Sequence, residues 1–65
     1  MKTKDIIKGR RYTHKKYPKT TYLGSRNNRG EPQMVVVHSL EYPNIEGNVV
    51  DAKNKSFWQG FSLIG

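Results

Sequence analysis

The 65-residue chain contains no cysteine. That excludes disulfides and thiolate metal ligands, the two staples on which very small domains commonly rely. Acidic residues are also scarce, at five against twelve Lys and Arg, for a formal charge of +7. Long apolar runs are absent. The longest is Met34-Val35-Val36-Val37, far below the ~20 residues that cross a bilayer, so no membrane span is expected, and without an amphipathic helix no membrane partner is expected either. The N-terminus is basic, but no apolar stretch follows it as in a signal peptide. The expected location is therefore the cytoplasm. A chain of this length is one domain, residues 1–65, with residues 1–4 expected to be disordered. A small domain buries a limited share of its surface, so a substrate cleft beside a large core is not expected.

What is present is unevenly placed. Residues 1–30 hold ten of the twelve basic residues and one acid, Asp5, which makes that half +9. Residues 31–65 hold Lys53 and Lys55 against Glu31, Glu41, Glu46 and Asp51, which makes the other half −2. Apolar residues are concentrated in the second half. Thirty-five residues fall short of the roughly 40 that fold alone without staples, so the basic half is read as the charged edge of one fold.

No stretch repeats apolar residues at helical spacing. β-branched and aromatic residues dominate the apolar set, and Gly, Pro and Asn punctuate it. Five strands are predicted: Asp5 to Arg10 or Arg11, Thr20 to Ser25, Met34 to His38, Asn48 to Ala52, and Phe57 to Ile64. The longest connection is Tyr12 to Lys19, where Pro18 excludes a central-strand pairing. Asn27-Asn28-Arg29-Gly30 supplies turn residues that tolerate positive φ. Lys53 to Ser56 is read as a short turn. Connections of four to eight residues fit antiparallel neighbours. The expected fold is all-β: a small, five-stranded antiparallel, partly open barrel.

The order of these pieces carries a resemblance. It comprises an Ile6-Ile7-Lys8-Gly9 strand, a long first loop and a Tyr22-Leu23-Gly24-Ser25 strand. The apolar Met34 to Val37 strand, a Gly47-led strand and a Phe57-Trp58-Gln59-Gly60-Phe61 ending follow. Together they resemble an SH3-like small β-barrel module. The first loop is basic, and the Ala-Leu-Tyr-Asp-Tyr type motif of signalling SH3 domains is missing, which argues against Pro-rich peptides as ligands. In compactness and basicity the chain also resembles small accessory proteins of bacteriophages.

Residues 8–19 read Lys-Gly-Arg-Arg-Tyr-Thr-His-Lys-Lys-Tyr-Pro-Lys. Basic side chains displace counterions from phosphates and so favour any nucleic acid. Interleaved aromatics can stack on unpaired bases. The candidate binding residues are Lys8, Arg10, Arg11, Tyr12, Lys15, Lys16, Tyr17 and Lys19, joined by Arg26 and Arg29 from another loop. Trp58 is a candidate aromatic anchor. Strict alternation in the last strand sets it opposite Phe57, Phe61 and Leu63, on a face open to a partner. A register shifted by one residue turns it into the core, where a small domain needs its only Trp. His14 and His38 have no companions at metal-ligand spacing, although His38 and Glu41 are close in sequence. No paired carboxylates, nucleophile with a placed base, or phosphate-binding Gly loop is visible.

The sequence therefore predicts a non-enzymatic module without cofactor or metal, contacting nucleic-acid phosphates, RNA or DNA, through the loop after the first strand. The alternative is an SH3-like interaction module whose basic surface steers it to an acidic protein partner, such as a host enzyme modulated by a phage protein.

Overall fold

Strand β2 (Tyr17–Arg26) is the spine of the fold. In the computed structural model, which describes residues 5–51 and 55–64, it is flanked by β1 (Arg11–His14) and β3 (Pro32–Ser39). The edges are β4 (Val49–Asp51) on β3 and β5 (Phe61–Leu63) on β1. All pairs are antiparallel, in the order β4-β3-β2-β1-β5. The two edge strands do not pair, so the sheet curls without closing. This all-β arrangement fits a small, partly open SH3-like fold. The expected disorder of residues 1–4 and the Ala52 end of the fourth predicted strand lie outside the described residues.

Alternation sorts the side chains. Tyr12, Tyr22, Met34, Val36 and Phe61 point into the concave face and are buried. The opposite face carries rows such as Arg11, Leu23, Val35 and Val49, matched by the strand registers. Ile6 and Trp58 plug the core from outside the sheet. Each such side chain contributes about 1.5–3 kcal/mol when fully buried. Two polar residues in this interior, Thr20 and Ser39, satisfy each other through their hydroxyls at 2.8 Å.

Three predicted elements are corrected. Residues 5–10 are not a strand: the Ile7 N–H donates to the Tyr12 hydroxyl at 2.9 Å instead of to a ladder. The Gly9 N–H then reaches the Gly24 carbonyl at 2.9 Å, with Gly9 at φ +88°. The first strand is instead Arg11–His14, of which Tyr12 to His14 were expected to be loop. The last predicted strand splits, because Lys55–Trp58 forms a one-turn helix, α1, and only Phe61–Leu63 is extended. Lys55 and Ser56 thus belong to α1, not to a turn. The Gly60 N–H donates to the Phe57 carbonyl at 3.1 Å at the end of that turn. A short 3-10 turn, Pro43–Ile45, closes the concave face near β3.

Pro18 does lie in β2, but where the β1 ladder breaks. Thr13 pairs Thr21, while the next residue, His14, pairs Tyr17. The residues between, Pro18 among them, have no partner on β1, so its missing N–H leaves no ladder bond unmade.

Candidate nucleic-acid interface

The basic segment is a hairpin rather than a loop, and this divides its charges. Lys15 and Lys16 form the tight turn between β1 and β2. Neither adopts positive φ, although two-residue hairpin turns usually require it. Three contacts hold the turn instead. The Lys15 N–H donates to the Gly60 carbonyl at 3.0 Å, and the Lys16 N–H to Nδ1 of His14 at 3.0 Å. Nε2 of His14 donates to the Phe57 carbonyl at 2.7 Å. Lys19 follows on β2, its N–H held by Glu41 Oε1 at 2.9 Å.

The remaining cations gather at the other end of the hairpin. Lys8 and Arg10 lie on the strap of residues 5–10, which runs beside Gly24 near the end of β2. Arg26 ends β2, and its guanidinium donates to the carbonyls of Gly30 at 2.8 Å and Ile6 at 3.2 Å. Arg29 sits in the β2–β3 turn. There Asn27 Oδ1 accepts the N–H groups of Arg29 and Glu31, at 2.9 and 3.0 Å. From Lys16 to Arg26 the chain follows the whole of β2, on the order of 30 Å of strand. Arg26 and Arg29 thus join Lys8 and Arg10, not Lys15 and Lys16, while Arg11 lies between on the outer face.

All of these Lys and Arg side chains are exposed. Among the described side chains the only ion pair is His38 Nδ1 with Glu46 Oε2, at 3.5 Å. The expected neighbour of His38, Glu41, is instead committed to Lys19. Among the described residues no group of three His, Asp or Glu can hold a metal ion, and no helix is long and apolar enough to cross a membrane.

The aromatic candidates divide too. Tyr12 is 1 % exposed and Trp58 is 1 % exposed. Both belong to the core, so neither offers a ring to a ligand. Trp58 faces inward because α1, not a strand, carries it. Tyr17 stays half-buried at the start of β2, with the Lys16 ammonium 5.8 Å from its ring centroid.

Tyr17 lines an open cleft of about 400 Å³ that the sequence did not lead us to expect. The cleft lining runs from Val49 and Val50 of β4 to Phe57 of α1, on the side where the sheet is not closed. Tyr22, Tyr42 and Phe57 complete its aromatic lining, and Val36, Ile45, Val49 and Val50 its aliphatic lining. Tyr17 and Tyr42 meet edge to face at 6.0 Å, and Tyr17 and Phe57 lie tilted by 49° at 6.3 Å. Tyr42 is 49 % exposed. It was missed in the sequence because Tyr42-Pro43-Asn44 reads as turn punctuation. Burial, the Tyr17 charge and the Glu41 charge, in that order, raise the Tyr22 hydroxyl above its ordinary pKa of 10.0.

No family model, curated protein or solved structure matches this chain.

Proposed function

We propose that this chain is a non-enzymatic module that contacts nucleic-acid phosphates through the two cationic ends of its β1–β2 hairpin. The observation that carries this reading is the absence of neutralisation. Lys8, Arg10, Arg11, Lys15, Lys16, Lys19 and Arg29 are exposed, and among the described side chains none of them pairs with a carboxylate. Unpaired, solvated cations are free to displace the counterions condensed on a polyphosphate. Because those contacts are to phosphate, affinity is expected to depend steeply on salt and weakly on sequence. Fluorescence anisotropy with labelled oligonucleotides across a salt series tests it. Log affinity should fall linearly with log salt, with a slope of roughly −0.7 per phosphate contacted on a single strand. Absence of binding at low salt overturns the reading.

An acidic protein partner is the second reading, and one observation favours it. Leu40, just after β3, is 70 % exposed, and Val37 on β3 and Val49 on β4 are also exposed. Exposed apolar side chains are the kind of surface that an interface core buries, and the cations elsewhere on the chain would steer an acidic partner to it. A stoichiometric protein that co-purifies from nuclease-treated lysate and survives moderate salt would select this reading over the first.

A further inference from the structure

The basic ends account for attraction to phosphate but not for the cleft. We propose that the cleft lined by Tyr17, Tyr42 and Phe57 seats one unpaired nucleobase of a single-stranded nucleic acid, with the adjacent phosphates held by Lys15 and Lys16. This rests on the nucleic-acid reading above and adds a preference for single strands.

Several features fit that occupant. The volume, about 400 Å³, falls within the range of sites that enclose small flat ligands. The lining is aromatic and aliphatic, with Asn48 and the tyrosine hydroxyls as the polar groups of the lining residues. A nucleotide has the same division, a flat ring joined to an anion. The cleft repeats it in space: apolar rings inside, and a lysine ammonium 5.8 Å from the Tyr17 ring at its rim. Base–aromatic stacking tolerates any base, since every base has a π-face.

The rim is also built before any ligand arrives. His14 fixes both the Lys16 N–H and the Phe57 carbonyl, so the turn bearing the lysines and the helix bearing Phe57 are tied through one side chain. Glu41 favours a neutral occupant over an anionic one. Its carboxylate sits at the Lys19 end, close enough to act on Tyr22. An Asp or Glu side chain from an acidic peptide entering the cleft would meet that charge, whereas a neutral base would not. A duplex keeps its bases stacked and paired, so it reaches the lysines but not the cleft.

The test compares three labelled probes by anisotropy at one low salt concentration: a dT 12-mer, an abasic phosphodiester 12-mer and a 12-base-pair duplex. The dT 12-mer is expected to bind about tenfold more tightly than the abasic strand. Tyr42→Ala should erase that difference, and Tyr42→Trp should retain it. Tyr42 is half exposed, so its truncation spares the core. Amide shift perturbations with dT 12-mer should fall on Tyr17, Tyr42 and Asn48. Equal affinity for dT and abasic strands overturns the cleft proposal and leaves phosphate binding standing. So do perturbations confined to Lys8, Arg10 and Arg29. Failure of all three probes to bind overturns both.

Discussion

His14 Nε2 lies 2.7 Å from the Phe57 carbonyl oxygen, while the two rings stack with centroids 4.2 Å apart and planes 18° from parallel. The carbonyl can only accept, so Nε2 carries the proton. Nδ1 is then bare and accepts the Lys16 N–H. One buried imidazole, 3 % exposed, thereby joins β1, the Lys15–Lys16 turn and α1. His14→Phe should keep the stack and lose both hydrogen bonds. We expect it to cost about 1–3 kcal/mol, the penalty for leaving a polar group unsatisfied. His14→Ala should cost more, because contacts with Phe57 and Phe61 go as well. Urea denaturation measures both. A His14→Phe variant as stable as the parent would show that the hydrogen bonds contribute nothing net.

Gly60 and Gly24 are required for space, not for conformation. A Cβ at Gly60 would stand 2.5 Å from Cε1 and Nε2 of His14. At Gly24 it would stand 2.5 Å from the Ile7 carbonyl oxygen and 3.0 Å from the Tyr12 ring. Neither neighbour is a flexible chain end. Gly60→Ala and Gly24→Ala should each destabilise by about 1–3 kcal/mol or more. Gly30→Ala meets nothing within 4 Å but sits at φ +78°, so its cost is conformational alone, about 1–2 kcal/mol. Thermal melts of the three variants should rank Gly30→Ala as the mildest. The reverse order would mean that the core accommodates the methyl groups by shifting.

The contrast between glycines bears on what the residues alone reveal. Positive φ at Gly30 was legible, because an Asn-Asn-Arg-Gly turn demands it. Close approach at Gly60 was not, because His14 is 46 positions away in sequence. The same division runs through the fold. Met34 to Val37 and Thr20 to Ser25 were readable as strands, since their alternation is local, and they form most of β3 and β2. Ile6-Ile7 carried equal β-propensity, yet the segment is a strap fixed by Tyr12 and Gly24. Tyr12 to His14 were read as part of a basic loop that runs on to Lys19 through Pro18, and a polar His14 gives no apolar alternation to suggest otherwise. The alternation of Tyr12 and His14 inward with Arg11 and Thr13 outward only becomes a strand signal once His14 is known to be buried. A four-residue helix at Lys55–Trp58 is too short for any periodicity to show. The cationic residues of the site were all visible as residues, but their division between two ends was not, since it depends on where the hairpin turns.

Tyr22 links pH to stability. Burial, then the charges of Tyr17 and Glu41, hold its folded-state pKa above 10.0. The folded protein therefore keeps this proton at pH values where the unfolded chain has begun to lose it. With fewer protons bound in the unfolded state, stability must fall as pH rises. The contribution is fully present below about pH 10, and is lost as pH climbs from there through the raised folded-state value. Urea midpoints compared at pH 8 and above pH 10 should show a drop in the parent that Tyr22→Phe reduces. Other groups titrate in the same range, so the difference between parent and variant is the quantity to read. An unchanged difference across the window would remove Tyr22 as the source.

Arg26 and Arg29 carry the same charge three residues apart, but only Arg26 is tied into the fold. Its guanidinium spans the Gly30 carbonyl of the β2–β3 turn and the Ile6 carbonyl of the strap, and Ile6 is a core residue. Hydrogen bonds from a charged donor contribute about 1.5–3 kcal/mol, so Arg26→Met should lower stability measurably and loosen the strap that bears Lys8 and Arg10. Arg29 is exposed, and the hydrogen bond at this residue is made by its backbone N–H, which any side chain retains. Arg29→Ala should leave stability within about 0.5 kcal/mol and act on binding alone, reducing the salt slope by roughly 1 if Arg29 contacts a phosphate. Paired urea melts and salt titrations of the two variants separate the roles. Equal losses of stability would show that Arg29 is also structural. An unchanged salt slope for Arg29→Ala would show that Arg29 contacts no phosphate.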